Sequence, residues 1–343
     1  PNCRDGRRGL ETMRSSRFGS TNIPVVQFDQ PTAGELVGGM HKLAAMQRNA
    51  DTGGITTHVL NKTVTLETAL ETSALHATNI GGILEGKGDL ANEWVVIGGH
   101  YDHLGFGYTG TSSQGVLHVG ADDNASGSAG VLVLADQLAD SYAQSEDESL
   151  RSILFLFFDA EEAGLYGSAA LVKNPIMKLE TINVMINLDM IGRLRDNNLS
   201  ISGSGTATEF DELIPDLIAD TTMIASLTPG GTGPSDHTNF YTKDIPVLFS
   251  FTGLSDEYHT PEDRIHTLNP AGAARVITLI DAFADVLVDE PKVHFTTNTT
   301  SKTNRATQMS SPVRLGIHPS YTAQLETGIL LTGLTEGTSA QAE

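Results

Sequence analysis

Cysteine is all but missing from this chain. Cys3 stands alone among 343 residues, which excludes an internal disulfide and any metal site built from thiolates. Long apolar runs are missing too: none approaches the ~18 residues that mark a membrane-spanning helix. Pro1 opens the chain without a Met-led, charged-then-apolar leader. Positive charge is scarce, with 21 Lys and Arg against 42 Asp and Glu and a net charge of −21. Such a chain repels phosphate backbones and anionic membrane surfaces, so nucleic acid is excluded as a partner. No Gly-x-Ser-x-Gly elbow occurs, which removes the signature of one large class of serine hydrolases. What is there includes a hydrophobic fraction of 39%, enough for a sizeable core and more than one domain. Carboxylates in such surplus either coat a solvated surface or serve hard and borderline cations, and their positions decide between the two.

From about Thr56 to Val288 strand and helix signals alternate: VVIGG before His100, a helix near Ser126 to Asp140, then ILFLFF, VMINLDM and PVLFSF. This pattern reads as α/β. Val131, Leu134, Ala135 and Leu138 recur at the spacing of an amphipathic helix packed on a sheet, and Val276, Ile280, Phe283 and Leu287 mark a second one that closes the domain. Upstream, IPVVQFDQPTAGELVGGMHKLAAM reads as a strand followed by a helix, set apart by NADTGG. Downstream, the Thr/Ser/Asn-rich stretch from Thr296 to Ser311 reads as a linker. The last residues alternate like short strands. The expected division is therefore 1–53, a central domain over 54–290, a linker over 291–310, and a final piece over 311–343.

Five segments place a His, Asp or Glu at or just beyond the carboxyl end of an apolar strand, or in a loop leading to a helix. That edge is where open α/β sheets bind ligands. VVIGGHYDH carries His100 and Asp102, a pair suited to an imidazole ligand with a carboxylate on its other nitrogen. GADDNASG offers Asp122 and Asp123; FFDAEEAGLYGS offers Asp159, Glu161 and Glu162; INLDMIGR offers Asp189; DEYHTPEDR offers His259. Each has a plain structural reading as a helix cap, a first-turn acid or a turn former. Five in order at one edge point instead to chemistry. His100, Asp123, Glu162, Asp189 and His259 form a nitrogen and oxygen set that fits two divalent cations sharing one carboxylate, and zinc suits such donors. Glu161, beside a ligand without being one, is placed to act as general base.

This set resembles the co-catalytic zinc peptidases of metallopeptidase family 28, whose blocks appear in order from His100 to Asp263. The resemblance implies a mixed, mostly parallel twisted sheet flanked by helices, the zinc-dependent exopeptidase fold. It implies two Zn2+ ions, one on His100 and Asp189, the other on Glu162 and His259, with Asp123 bridging in preference to Asp122. It further implies Glu161 as general base acting on a water between the metals, Asp102 as outer partner of His100, and a cis peptide between Asp123 and Asn124. PSDHTNF matches another family block; Ser235, Asp236 and His237 are adjacent and so cannot converge as a catalytic triad, and the latter two are expected behind the ligands.

The implied activity is that of an aminopeptidase acting on peptides with a free N-terminus. A glutamate carboxypeptidase-like enzyme is the runner-up, since only Arg193 and Arg264 lie near ligand blocks to receive a substrate carboxylate. An inactive, receptor-like homologue is the third reading. His100 argues against the single-zinc cyclase branch. The flanks resemble the end of a protease-associated domain and the start of a PDZ domain, both truncated. Family members with such companions are exported, and the same is expected here.

Overall fold

The structure, a computed structural model, describes residues 28–51, 76–107, 113, 115–219, 221–297, 317–319 and 331–334. In chain order the helices and strands are α1 (Gln30–Val37), α2 (Met40–Asp51), β1 (Ile80–Leu84), β2 (Trp94–His100), α3 (Gly127–Gln144), β3 (Ser152–Phe158) and α4 (Tyr166–Lys173). They continue with β4 (Ile182–Leu188), β5 (Asn198–Ser202), α5 (Phe210–Ala219), β6 (Ile224–Thr228), α6 (His237–Tyr241), β7 (Val247–Phe251), α7 (Pro270–Asp289), β8 (Ile317–Pro319) and β9 (Leu331–Leu334).

Strands β1 to β7 form one sheet in the order β1-β3-β2-β4-β7-β5-β6. The central strands β3, β2, β4 and β7 run parallel; β1 is antiparallel at one edge, and β5 pairs antiparallel with β7 and parallel with β6. The expected mixed, mostly parallel sheet is the one observed. Its central strands are apolar at nearly every position because both faces are covered. Val95 and Ile97, Ile153 and Phe155, and Val184 and Ile186 pack with Leu134 and Leu138 of α3 and with Val276, Ile280 and Phe283 of α7. Their alternates Val96, Leu154, Leu156, Phe158 and Met185 pack on the opposite face with Val172 of α4 and Phe240 of α6. The period of two in each strand thus sorts side chains into two cores.

α7 begins with Asn269, whose side chain accepts the Gly272 N–H at 3.0 Å, and with Pro270, whose fixed φ suits a first turn. Past its end the chain stays tied to the sheet domain: the Val293 N–H donates to Asn183 at 2.9 Å, and Phe295 bridges to Ala207.

The described residues fall into two compact units, with α1 and α2 in one and the seven-stranded sheet in the other. Where the sequence reads as a single upstream helix there are two, because Gly38 at φ 89 and Gly39 at φ 129 take a left-handed path that ends α1. The strand expected at IPVVQF lies outside the described residues apart from Phe28, and so does most of the final piece over 311–343, of which β8 and β9 form an antiparallel pair. Among the described residues no helix is long and apolar enough to cross a membrane.

Candidate metal centre

Register brings the candidate residues to one edge. His100 ends β2 opposite Phe158, the last residue of β3, while Leu188 at the end of β4 pairs with Ser250 of β7. Side chains just beyond these positions share one hollow, at the carboxyl ends of four parallel strands.

His100 is 1% exposed and points Nε2 at Asp123 Oδ1, 3.3 Å away, and at Asp189 Oδ1, 3.5 Å away. Its other ring nitrogen lies 3.1 Å from the Asp102 backbone carbonyl and 3.6 Å from the Asp102 carboxylate. That carboxylate is occupied elsewhere, accepting the N–H groups of Glu161 at 3.0 Å and Glu162 at 3.2 Å. The expected His100–Asp102 pairing therefore runs mainly through the backbone of Asp102, whose side chain anchors the Glu161–Glu162 turn.

Asp123 sits in a wide turn before α3 with non-helical backbone (φ −104, ψ 92), and its peptide bond to Asn124 is cis, as the resemblance implied. Asn124 fastens this turn to the sheet: its side-chain NH2 donates to the carbonyls of His100 and Leu188, and its oxygen accepts from Gly127 and Met190. The two adjacent acids face opposite ways. Asp122 turns inward to accept from Gly192 and Ser126 beside Arg193, and burial raises its pKa to about 6. Asp123 turns into the hollow, where the paired His100 and His259 rings outweigh burial and hold its carboxyl well below the ordinary range.

His259 Nε2 approaches Asp123 Oδ2 at 3.1 Å and Glu162 Oε2 at 3.2 Å. Burial opposes its charged form, yet these two carboxylates lift its pKa to about 9. Its ring stacks on Tyr258, 3.8 Å between centroids. Asp159 stays out of the hollow, accepting from Thr78 and Ala160. Glu161 faces the hollow, and its pKa is raised by burial and by the charges of Asp236, Asp189 and Glu162, against the pull of His100. Ala160, Met190 and His259 all have left-handed backbones at φ 56, 52 and 56. Such strain at residues other than glycine clusters where side chains must be aimed.

The PSDH block lies where expected, behind the ligands. The Ser235 hydroxyl donates to Asp189 Oδ2 at 2.7 Å and accepts from Asn187 at 2.8 Å, leaving Asp189 Oδ1 to face His100. Asp236 takes the Ser168 hydroxyl, and burial pushes its pKa to about 7. His237 is buried flat against Phe249, 4.4 Å between ring centroids, and burial lowers its pKa to about 3.

These donors fit a pair of divalent ions. Ligand atoms ~2.0–2.1 Å from a tetrahedral ion stand about 3.3–3.4 Å from one another, and the four contacts between the imidazoles and Asp123, Asp189 and Glu162 span 3.1 to 3.5 Å. Asp123 gives one oxygen to each side, Oδ1 with His100 and Asp189, Oδ2 with His259 and Glu162. The hollow also holds a residue that the sequence reading passed over. His103, quoted within VVIGGHYDH, brings Nδ1 to 2.7 Å from Glu162 Oε1 and forms a donor cluster with Asp123 and Glu162.

Residues 79–284 match the model of a family described as Peptidase family M28, a span that includes neither flank. A probable leucine aminopeptidase of Arthroderma otae is 28% identical over 211 residues, covering 60% of this chain and 56% of that one. Leucine aminopeptidase 1 of Coccidioides posadasii is 29% identical over 185 residues, covering 51% of this chain and 46% of that one. Among solved structures, BSAP, a zinc aminopeptidase from Bacillus subtilis, superposes with a TM-score of 0.51 at 26% identity, covering 65% of this chain and 53% of that one. The chain thus spans about half the length of the relatives it matches.

Proposed function

This chain belongs to peptidase family M28, and from that premise we propose that it is a metal-dependent aminopeptidase, releasing the first residue of peptides that carry a free N-terminus. One observation carries the reading: the two oxygens of Asp123 face two separate imidazoles, His100 at 3.3 Å and His259 at 3.1 Å. His100, Asp189 and Asp123 would hold one zinc, and Asp123, Glu162 and His259 the other. When bound, such a pair polarises a peptide carbonyl and lowers the pKa of the water beside it.

The remaining work falls to the protein. Glu161 takes a proton from the attacking water and returns it to the leaving amine. Asp102 fixes the backbone of Glu161 and Glu162 together, so the base and its neighbouring ligand keep a constant relation. Arg193 supports the aminopeptidase reading over the carboxypeptidase one. Its guanidinium is 3% exposed and engaged by Glu257, Asp263 and Thr267, so it does not offer a free cation to a substrate carboxylate. The leucine aminopeptidases among its relatives point the same way.

The test is a substrate panel: an aminoacyl anilide and a free peptide against the same peptide N-acetylated, each with and without a chelator. Hydrolysis of the unblocked substrates only, lost on chelation and restored by zinc, is expected. Turnover of the acetylated peptide at an equal rate, or no dependence on metal, overturns the proposal.

A further inference from the structure

We propose that His103 is an additional nitrogen donor to the cation position formed by Asp123, Glu162 and His259. The inference rests on the metal-centre reading above and adds a residue to it. The His103 side chain is only 8% exposed. Both of its ring nitrogens are buried without a hydrogen-bond partner, and so is Glu162 Oε1. Leaving such groups unsatisfied costs roughly 1–3 kcal/mol each, and a cation at this point would satisfy His103 Nδ1 and Glu162 Oε1 together.

Three donor atoms, one each from His103, Asp123 and Glu162, lie close enough together to hold a single ion. His103 Nδ1 stands 2.7 Å from Glu162 Oε1 and 3.8 Å from Asp123 Oδ2. The shorter distance is below the ~3.3–3.4 Å between two ligands of a tetrahedral ion, so a cation held there moves the ring and the carboxylate apart by roughly 0.6 Å. The His103 ring meets that of His259 edge to face, 5.8 Å between centroids at 67°, and each holds a nitrogen at the Glu162 carboxylate, His103 at Oε1 and His259 at Oε2.

The backbone makes a seat for this ring. Gly120, directly before the Asp122–Asp123 turn, has φ 61, and a Cβ there would lie 2.5 Å from His103 Cγ. Any side chain at position 120 would displace the imidazole. The resulting donor set is unequal: one position has His100, Asp189 and Asp123, the other His103, His259, Glu162 and Asp123. A second imidazole favours borderline cations such as zinc over hard ones, so the two positions should differ in affinity.

Chelator-stripped protein titrated with Zn2+ by calorimetry, and with Co2+ by visible absorption, tests this. Wild type, His103→Ala and His103→Gln would be compared, with His259→Ala as the control for a lost ligand and circular dichroism as the check on folding. The expected result is two ions per chain in wild type and, in both His103 variants, one site weakened by more than the ~10- to 100-fold that loss of a supporting partner costs, with altered cobalt bands for that site alone. The glutamine variant keeps bulk and polarity, so it covers the case in which the alanine variant fails to fold. Unchanged affinity, or a weaker site with unchanged cobalt bands, overturns His103 as a donor while the metal centre stands. Wild-type protein that takes up neither ion overturns the metal-centre reading itself.

Discussion

Asp102 Oδ1 accepts the backbone N–H of Glu161 at 3.0 Å, so a residue beyond the end of β2 fixes the turn that carries the proposed base beyond the end of β3. Its second oxygen holds the Glu162 N–H in the same way. Removing that clamp should disturb catalysis more than packing. Asp102→Ala is expected to lower kcat by roughly 10- to 100-fold, the usual effect of losing a group that orients a metal site. Asp102→Asn, which keeps an acceptor, should fall less. Steady-state kinetics on an aminoacyl anilide decides, and an asparagine variant as impaired as the alanine one would count against the clamp.

Glu161→Ala separates the base from the ligands. Because the proposed donor atoms come from His100, His103, Asp123, Glu162, Asp189 and His259 and not from Glu161, this variant should bind metal as wild type does. Its turnover should drop by about 10²–10⁴-fold, the typical contribution of a positioned base. Metal analysis alongside kcat provides the check; a variant with full turnover removes Glu161 from the mechanism.

Most of the centre was legible because it follows from strand ends. An apolar run with a charged residue at its close is visible in one dimension, and a parallel sheet aligns those closes in three, as His100 opposite Phe158 shows. Contacts that depend on the path of a turn were not legible. The spacing of two does bring Asp102 to His100, at 3.6 Å from its ring nitrogen, but that the same carboxylate also holds the Glu161 and Glu162 N–H groups depends on the loop after β2. Asp159, clustered with Glu161 and Glu162 in the sequence, has a separate task, accepting from Thr78 and Ala160. His103 was overlooked because what seats its ring is the bare backbone of Gly120, 17 positions on. The helix break at Gly38 and Gly39 was written in the sequence, as adjacent glycines are a stop signal.

Arg193 is the buried cation of a network that joins the loops bearing Asp123, Asp189 and His259. Its guanidinium donates to Asp263 Oδ1 at 2.7 Å, and the Asp263 carboxylate in turn accepts the N–H groups of Asp122 and Asp123. Arg193→Met keeps much of the bulk but leaves the buried Asp263 and Asp122 carboxylates without their countercharge. Breaking a buried pair from one side costs roughly 3–5 kcal/mol. Urea denaturation of chelator-stripped protein at neutral pH should show a loss of that size. The double variant Arg193→Met with Asp263→Asn should recover part of it, since the second change removes one of the stranded charges.

His237 gives the protein a specific acid sensitivity. Its pKa is about 3 in the fold, against an ordinary 6.5, because burial against Phe249 disfavours the charged ring. Between those two values the unfolded chain binds a proton there that the folded chain does not. Folding stability from this group is therefore complete above pH ~6.5 and declines as pH falls toward 3, with a limiting slope of about 1.4 kcal/mol per pH unit. Neighbouring Asp236 works in the opposite sense, since its pKa is raised to about 7 and the fold takes up its proton first. The difference between wild type and a variant isolates the histidine. His237→Phe cannot titrate and can keep the stack on Phe249; the larger ring shifts stability by a constant amount at every pH. Urea midpoints of chelator-stripped protein between pH 6.5 and 4 should fall less steeply for the variant than for wild type. Parallel curves would mean that the imidazole takes up its proton in the fold and that burial does not exclude the charge.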